Sequence, residues 1–275
     1  MRIILKPAGA ITVVLLLIVL AGLAMMASLR GKGQAQDSPG TSASAASQWD
    51  HPVAFWKMDE GHGKTIQDSA GGDSAAKNTG TLQGDVAWSD GGVGPHCLNF
   101  TGSTTGFVDI PRPVVDTSKS FSVSACVQLK NVNGFQTILS IDGDQVSSFF
   151  LQLRGEGGKF GFAALPGDSA SNNTPAHADA LDKPEIGKWY HLIGVYDAAA
   201  HTVSLYVNGT LAQTVPQTSA WKAGGHTIIG RGKFENKSVD FVDGMVDNVR
   251  FYDTALNVQD ALALAKQDLP EDKRK

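Results

Sequence analysis

"WYHLIGVYDAAAHTVSLYVNGTL", residues 189–211, is the stretch whose reading decides the fold. Two apolar phases run side by side in its first part. Tyr190, Leu192, Gly194 and Tyr196 form one, and Trp189, His191, Ile193 and Val195 form the other. A strand reads this way when both its faces are covered. After a polar connector at 197–201, Val203, Leu205 and Val207 alternate with Thr202, Ser204 and Tyr206, the period of a half-buried strand. Asn208-Gly209 then turns the chain, because a tight I′ hairpin needs positive φ at both central residues. The stretch predicts three strands of an antiparallel meander. Nothing in it assembles a catalytic group, so it reads as wall.

The rest of the chain agrees. It has 275 residues, 31 glycines and a formal charge of −4, with no long 3.6-period segment before Asn257. That balance excludes the clustered basic surface of a nucleic-acid binder. Short apolar runs between turn residues predict an all-β domain over 50–269, a normal size for one sandwich. "NVQDALALAKQ", from Asn257, predicts a short amphipathic helix that closes it.

The ends differ in kind. Residues 8–29, "AGAITVVLLLIVLAGLAMMASL", carry no charge over 22 positions. At about 1.5 Å per residue such a helix spans roughly 33 Å, enough for a bilayer core. Its length favours one uncleaved transmembrane anchor over 1–30; the alternative is a cleaved signal peptide, whose apolar core is usually shorter. Arg2 and Lys6 favour a cytoplasmic N-terminus and a domain outside the cytoplasm, periplasmic or at the cell surface, secreted if the segment is cleaved. Residues 31–49 read as a disordered polar linker, and 270–275 as a charged tail.

Cys97 and Cys126 each lie off the apolar phase of their strands. In an exported domain they are compatible with a disulfide, provided those strands are neighbours; otherwise they are packed thiols.

Several phrases occur in order: "AFWKMDEGHGKTIQDSAG" from Ala54, "GVGPHCLNFTGS" from Gly92, "KSFSVSACVQL" from Lys119, "GKWYHLIGVYD" from Gly187, "IIGRG" from Ile228 and "FVDGMVDNVRFYDTALNVQDALAL" from Phe241. Together they resemble the laminin-G-like, concanavalin-A-like family from about Ala54 to Leu264. The resemblance implies a jelly-roll sandwich of two curved antiparallel sheets, a module that binds carbohydrate or protein or serves structurally. It also implies a structural calcium ion, here with Asp68, Asn78 and Asp247 as candidate ligands. The phase of Asp247 is that of Val249 and Phe251, which predicts a carboxylate turned toward the core and in need of a partner. Without a metal, Asp247 instead accepts backbone N–H groups or meets an arginine. Two departures stand out. Cys126 replaces the tryptophan usual at that place, and the glycine-rich loop after Asp68 is longer than the family's compact form.

No constellation for catalysis is evident. Of the five glutamates, at 60, 156, 185, 235 and 271, none is followed two residues later by aspartate, as the paired carboxylates of sandwich glycosidases would require. The seven histidines show no zinc spacing. "GDSAA" at Gly72 lies in a glycine-rich loop rather than at a nucleophile elbow. The chain therefore reads as a non-enzyme. Trp56 and Trp189 sit in strand-like runs and predict core positions. Trp88 and Trp221 sit near loops and are the candidates for ligand contact. In "SSFFLQL" from Ser147, Phe149 and Phe150 take opposite faces, so one of them can line a concave sheet. The expectation is a tethered, non-catalytic module for a glycan; the alternative is an adhesion or structural module for a protein partner.

Overall fold

The computed structural model describes residues 47–71, 78–171 and 174–269. In chain order the strands are β1 (Ala54–Trp56), β2 (Thr65–Ile66), β3 (Gly80–Gln83), β4 (Val86–Asp90), β5 (His96–Thr101), β6 (Phe107–Ile110), β7 (Phe121–Leu129), β8 (Gln136–Asp142) and β9 (Ser147–Arg154). They continue as β10 (Lys159–Ala164), β11 (Ala176–Asp179), β12 (Trp189–Asp197), β13 (Thr202–Val207), β14 (Thr210–Pro216), β15 (Thr227–Ile229), β16 (Gly232–Phe234), β17 (Lys237–Val239) and β18 (Asp243–Tyr252), followed by helix α1 (Val258–Asp268). The first sheet runs β14-β13-β12-β7-β18-β5-β4, with β1 also paired to β18, and the second runs β11-β10-β9-β8-β15-β6-β3-β2. All these pairings are antiparallel, the two-sheet sandwich predicted from the sequence.

Period-two alternation builds the core. On β7, Phe121, Val123, Ala125, Val127 and Leu129 point between the sheets, and β9 answers with Phe149, Leu151 and Leu153. Phe149 centres an aromatic cluster, 5.2 Å from Phe121, 5.8 Å from Phe162 and 6.3 Å from Phe251 between ring centroids. Trp56 joins it edge-on against Phe251.

The meander of residues 189–216 forms as expected. Asn208 and Gly209 take φ of 52° and 79°, the hairpin geometry that Asn-Gly predicts. The doubled apolar phase of β12 has a physical cause. Leu192 and Tyr196 enter the main core, while Ile193 and Val195 are covered by Ala261 and Leu264 of α1. The helix starts at a capping box, in which the Asn257 side chain accepts N–H bonds from Gln259 and Asp260 and Asp260 accepts from the Asn257 backbone.

Three expectations change. The ordered domain reaches back into the predicted linker. Gln48–Asp50 form a short helical turn, Trp49 packs beside Tyr252 and Leu264, and the Tyr252 hydroxyl donates to the Trp49 carbonyl at 2.9 Å. Residues 8–29 and the tail 270–275 lie outside the described residues; among the described residues no helix is long and apolar enough to cross a membrane.

The disulfide does not form. Cys97 on β5 and Cys126 on β7 are separated by β18, and both are free and buried. Strands lie about 4.8 Å apart, so a two-strand gap of roughly 10 Å exceeds the ~7 Å Cα limit for a bridge. Burial pushes the Cys97 thiol up to about 12 and raises that of Cys126 as well.

Asp247 does not face the core between the sheets. A bulge between Asp247 and Arg250 inserts one residue against β7, with Asn248 at φ 48°. Asp247 therefore pairs with Cys126 on the outer face, while Phe251 pairs with Val123 on the inner one. The carboxylate is still fully buried, beneath the loop at 92–94.

Candidate functional site

The outer face of the second sheet carries a groove of about 560 Å3. Its floor follows from strand alternation. With Phe149, Leu151 and Leu153 turned inward, β9 presents Phe150, Gln152 and Arg154 outward. Register extends these into rows across three strands: Phe150–Ala163–His177 and Gln152–Gly161–Asp179. Gly161 is a requirement, because a Cβ there would lie 2.5 Å from Arg154 Cδ and 2.8 Å from Asp179 Oδ1. Its absence lets the Arg154 side chain cross β10 and bring Nε to 3.3 Å from Asp179 Oδ1, while Nη2 meets Glu156 at 3.2 Å. His177 Nδ1 stands 3.1 Å from the other Asp179 oxygen.

Three segments make the walls. The β16–β17 hairpin supplies Phe234, Val239 and Asp240, and residues 165–171 and 174–175 supply Leu165, Ala170, Thr174 and Pro175. Phe135 stands at the start of β8, 37% exposed, and Phe234 is 41% exposed. The hairpin is pinned by the Asp142 carboxylate, which accepts bonds from Arg231 Nη1 at 2.9 Å and from Ser147 Oγ at 3.2 Å; Ser147 Oγ in turn accepts the Lys233 N–H. Residues 165–171 are held by Asp168, whose oxygens accept the N–H groups of Asp144, Gln145 and Val146 at 2.7–2.9 Å. The site thus combines fixed walls, aromatic faces and a row of polar groups. Burial raises the Asp240 carboxyl above its ordinary value.

Of the residues singled out from the sequence, Phe150 lines this groove. Trp221 packs behind it against the cluster of Val146, Phe150 and Leu165, with its indole N–H buried and unpartnered among the described residues. Trp88 lies on edge strand β4 and donates its N–H to the Gly63 carbonyl at 3.0 Å, away from the groove strands. Trp56 is in the main core, and Trp189 packs with Cys97, Cys126 and Leu269 on the outer face of the first sheet. Phe135, Arg154, His177, Phe234 and Asp240 were not anticipated. The signal for Arg154 was present in β9, whose outer phase reads Ser148, Phe150, Gln152, Arg154.

The candidate calcium ligands separate into two places. Asp68 and Asn78 meet: Asn78 Nδ2 donates to Asp68 Oδ2 at 2.7 Å, and Asp68 Oδ1 accepts the N–H groups of Phe55 and Ala70. Asn78 Oδ1 is buried and accepts no bond among the described residues, while the amide turns its Nδ2 toward Asp68. Asp247 has its own partners. Oδ2 accepts from Val93 at 2.8 Å and Gly94 at 3.1 Å, and Oδ1 from Asn248 at 2.8 Å. Burial lifts its pKa to about 7, with the nearby Asp59 adding to the rise and the three N–H groups opposing it. Among the described residues, no hydrogen bond or ion pair joins it to Asp68 or Asn78.

A second cavity, of about 440 Å3, lies between the 180–185 loop and the start of β14, lined by Phe160, Leu181, Tyr190 and Leu211.

Residues 101–261 match the family described as the concanavalin A-like lectin/glucanases superfamily. No curated protein sequence matches the chain. Among solved structures, the fold is similar to domain 4 of AbnA, an extracellular arabinanase from Geobacillus stearothermophilus in complex with arabinotriose. The TM-score is 0.62 at 20% identity, covering 78% of this chain and 98% of that one. It is also similar to the botulinum neurotoxin DC binding domain in complex with rat synaptotagmin II (TM-score 0.59, 15% identity, 81% of this chain and 52% of that one). A botulinum neurotoxin type C structure, whose cell entry depends on interaction with two ganglioside molecules, gives a TM-score of 0.60 at 12% identity and the same coverage. The chain spans about half the length of these neurotoxin structures.

Proposed function

We propose that this chain, which belongs to the concanavalin A-like lectin/glucanases superfamily, is a non-catalytic module that binds glycan in the groove on its second sheet. The observation that carries the reading is the groove itself: aromatic rings of Phe135, Phe150 and Phe234 around the polar row of Gln152, Arg154 and His177. Sugars need this combination, with ring faces to lie on and a few fixed donors and acceptors for hydroxyls. Two proteins of similar fold support it, the arabinanase domain in complex with arabinotriose and the neurotoxin whose cell entry depends on interaction with two ganglioside molecules. The test is a glycan array, with hits titrated by calorimetry. Phe234→Ala and Phe135→Ala should abolish binding while melting as wild type, because both rings are partly exposed. Undiminished binding by the double variant would end the assignment of the groove.

The alternative is a module for a protein partner. Exposed Leu181 (74%), Ile186 (61%) and Leu211 (44%) near the second cavity favour it. Silence across the array, with partner binding lost in Leu181→Ser, would support it.

Two further parts belong to the proposal. A calcium ion held by Asp68 and Asn78 would supply charge neutralisation beside residues 69–71. The apolar run at 8–29 would serve as a membrane anchor, with the domain outside the cytoplasm. N-terminal sequencing of membrane-fraction protein tests the anchor: a mature start within 27–37 would show cleavage instead.

A further inference from the structure

Charge in the groove is unevenly matched. Among the lining residues Arg154 is the one permanent cation, and its guanidinium is already answered by Asp179 and Glu156. It also lies over the Phe135 ring, at 6.0 Å from the centroid. Asp240 on the facing wall has no ion-pair partner among the described residues. Lys159 on β10 pairs directly with Arg154 and lies outside the lining. An anionic ligand entering here would meet Glu156, Asp179 and Asp240 with no guanidinium left free for it.

An uncharged polyol meets the opposite situation. The paired Arg154 and Asp179 present fixed donors beside fixed acceptors. Arg154 Nε and Asp179 Oδ1 are both buried, and at 3.3 Å neither makes a well-aligned hydrogen bond with the other. These two atoms are closed to solvent and answer each other. What lines the groove is Gln152, Arg154 and His177, among which hydroxyls, each able to donate and accept, find partners.

We infer that the ligand class of this groove is an uncharged glycan, whose hydroxyls bond Gln152, Arg154 and His177 and whose ring faces lie on Phe135, Phe150 and Phe234. Uronate-bearing and sulfated chains are excluded by Glu156, Asp179 and Asp240. The inference rests on the glycan reading of the groove and narrows it.

The test uses the full chain in detergent. It is titrated with size-matched oligosaccharides of three kinds: neutral (arabinan, xylan and glucan fragments), anionic (polygalacturonate and sulfated galactan fragments) and cationic (glucosamine oligomers). At least one neutral series should bind, and the anionic ones should be weaker by about tenfold or more at low salt, a gap that narrows as salt rises. Asp240→Asn with Glu156→Gln should narrow the same gap while neutral binding persists. Arg154→Lys should weaken neutral binding, because a lysine cannot hold the same fork toward Asp179. Anionic or cationic chains binding as tightly as neutral ones would overturn the inference and leave the glycan reading standing. Silence from all three kinds would overturn both.

Discussion

Gly194 offers the sharpest test of the packing that the opening stretch implies. It lies in mid-β12 with its missing side chain directed at the core, opposite Leu205 and Val123. A Cβ added there would sit 2.2 Å from Phe162 Cδ2 and 2.6 Å from Cε2 and Cγ. Carbon contacts favour about 3.5–4.0 Å, so the ring or the strand must move by roughly 1.5 Å. The ring has little room, since Phe121 and Phe149 stand 6.2 Å and 5.8 Å from it between centroids. Overpacking of this kind costs about 1–3 kcal/mol. The entropic benefit of replacing glycine returns about 0.4–1 kcal/mol of that. We therefore expect Gly194→Ala to lose about 1–2 kcal/mol, lowering Tm by roughly 2–8 °C in a domain of this size. Urea unfolding of wild type, Gly194→Ala, Phe162→Leu and the double variant measures it. The double variant should be more stable than the two single losses predict, by about 1 kcal/mol, because the methyl fills space the ring vacated. A Gly194→Ala chain within 0.5 kcal/mol of wild type, or strictly additive losses, would refute the argument.

Other outcomes follow from the buried groups. Asp247 has its pKa raised from 3.8 to about 7, so the folded chain keeps a proton that the unfolded chain has released. Its relative stabilisation is present below about pH 4 and is lost as pH rises through about 7, a change of about 4 kcal/mol. Asp247→Asn should remove that slope, and parallel stability curves for the two proteins from pH 4 to 8 would sink the reasoning. Calcium at a hundred times Kd should add about 2.7 kcal/mol and chelator should remove it, in wild type and Asp247→Asn but not in Asp68→Asn; a melting curve indifferent to chelator in metal-stripped wild type would end the calcium proposal. Cys97 and Cys126 should both label after denaturation without reductant, with the native thiols slow; an intact mass that rises by two hydrogens on reduction would show a bridge instead.

The meander, the helix and the all-β class were legible because each is a local pattern. Period two in β12 and β13, Asn208-Gly209 and the Asn257 cap each act within a few residues. Strand order is not local. The Cys97–Cys126 pairing failed because β18, more than a hundred residues downstream of Cys126, inserts between β5 and β7. The phase of Asp247 failed for a subtler reason. Alternation predicts a face only while the register holds, and the bulge at Asn248 shifts it by one. The groove could be read only in part, since its walls come from segments that meet through the fold, near positions 135, 170 and 234.

What the strands do reveal, once aligned, is which face of the sandwich is closed and which is open. On β12 the outer phase is Ile193 and Val195, apolar groups that water would penalise, and α1 with Trp49 covers them. On β9 the outer phase is Ser148, Phe150, Gln152 and Arg154, which no helix among the described residues covers. These side chains are nonetheless buried, and what shields them is the β16–β17 hairpin together with Leu165, Ala170, Thr174 and Pro175. Polar groups on a sheet face need hydrogen-bond partners wherever water is thinned. Gln152 and Arg154 are held at the bottom of a walled groove, where the partner must come from the protein or from a ligand. The closed face thus carries the stability of the domain, through α1, Arg250 and Asp268. The open face carries the polar groups that a ligand can reach, at Gln152, Arg154 and His177. Truncating α1 should therefore unfold the module, whereas removing the Phe234 and Phe135 rings should leave it folded and silent.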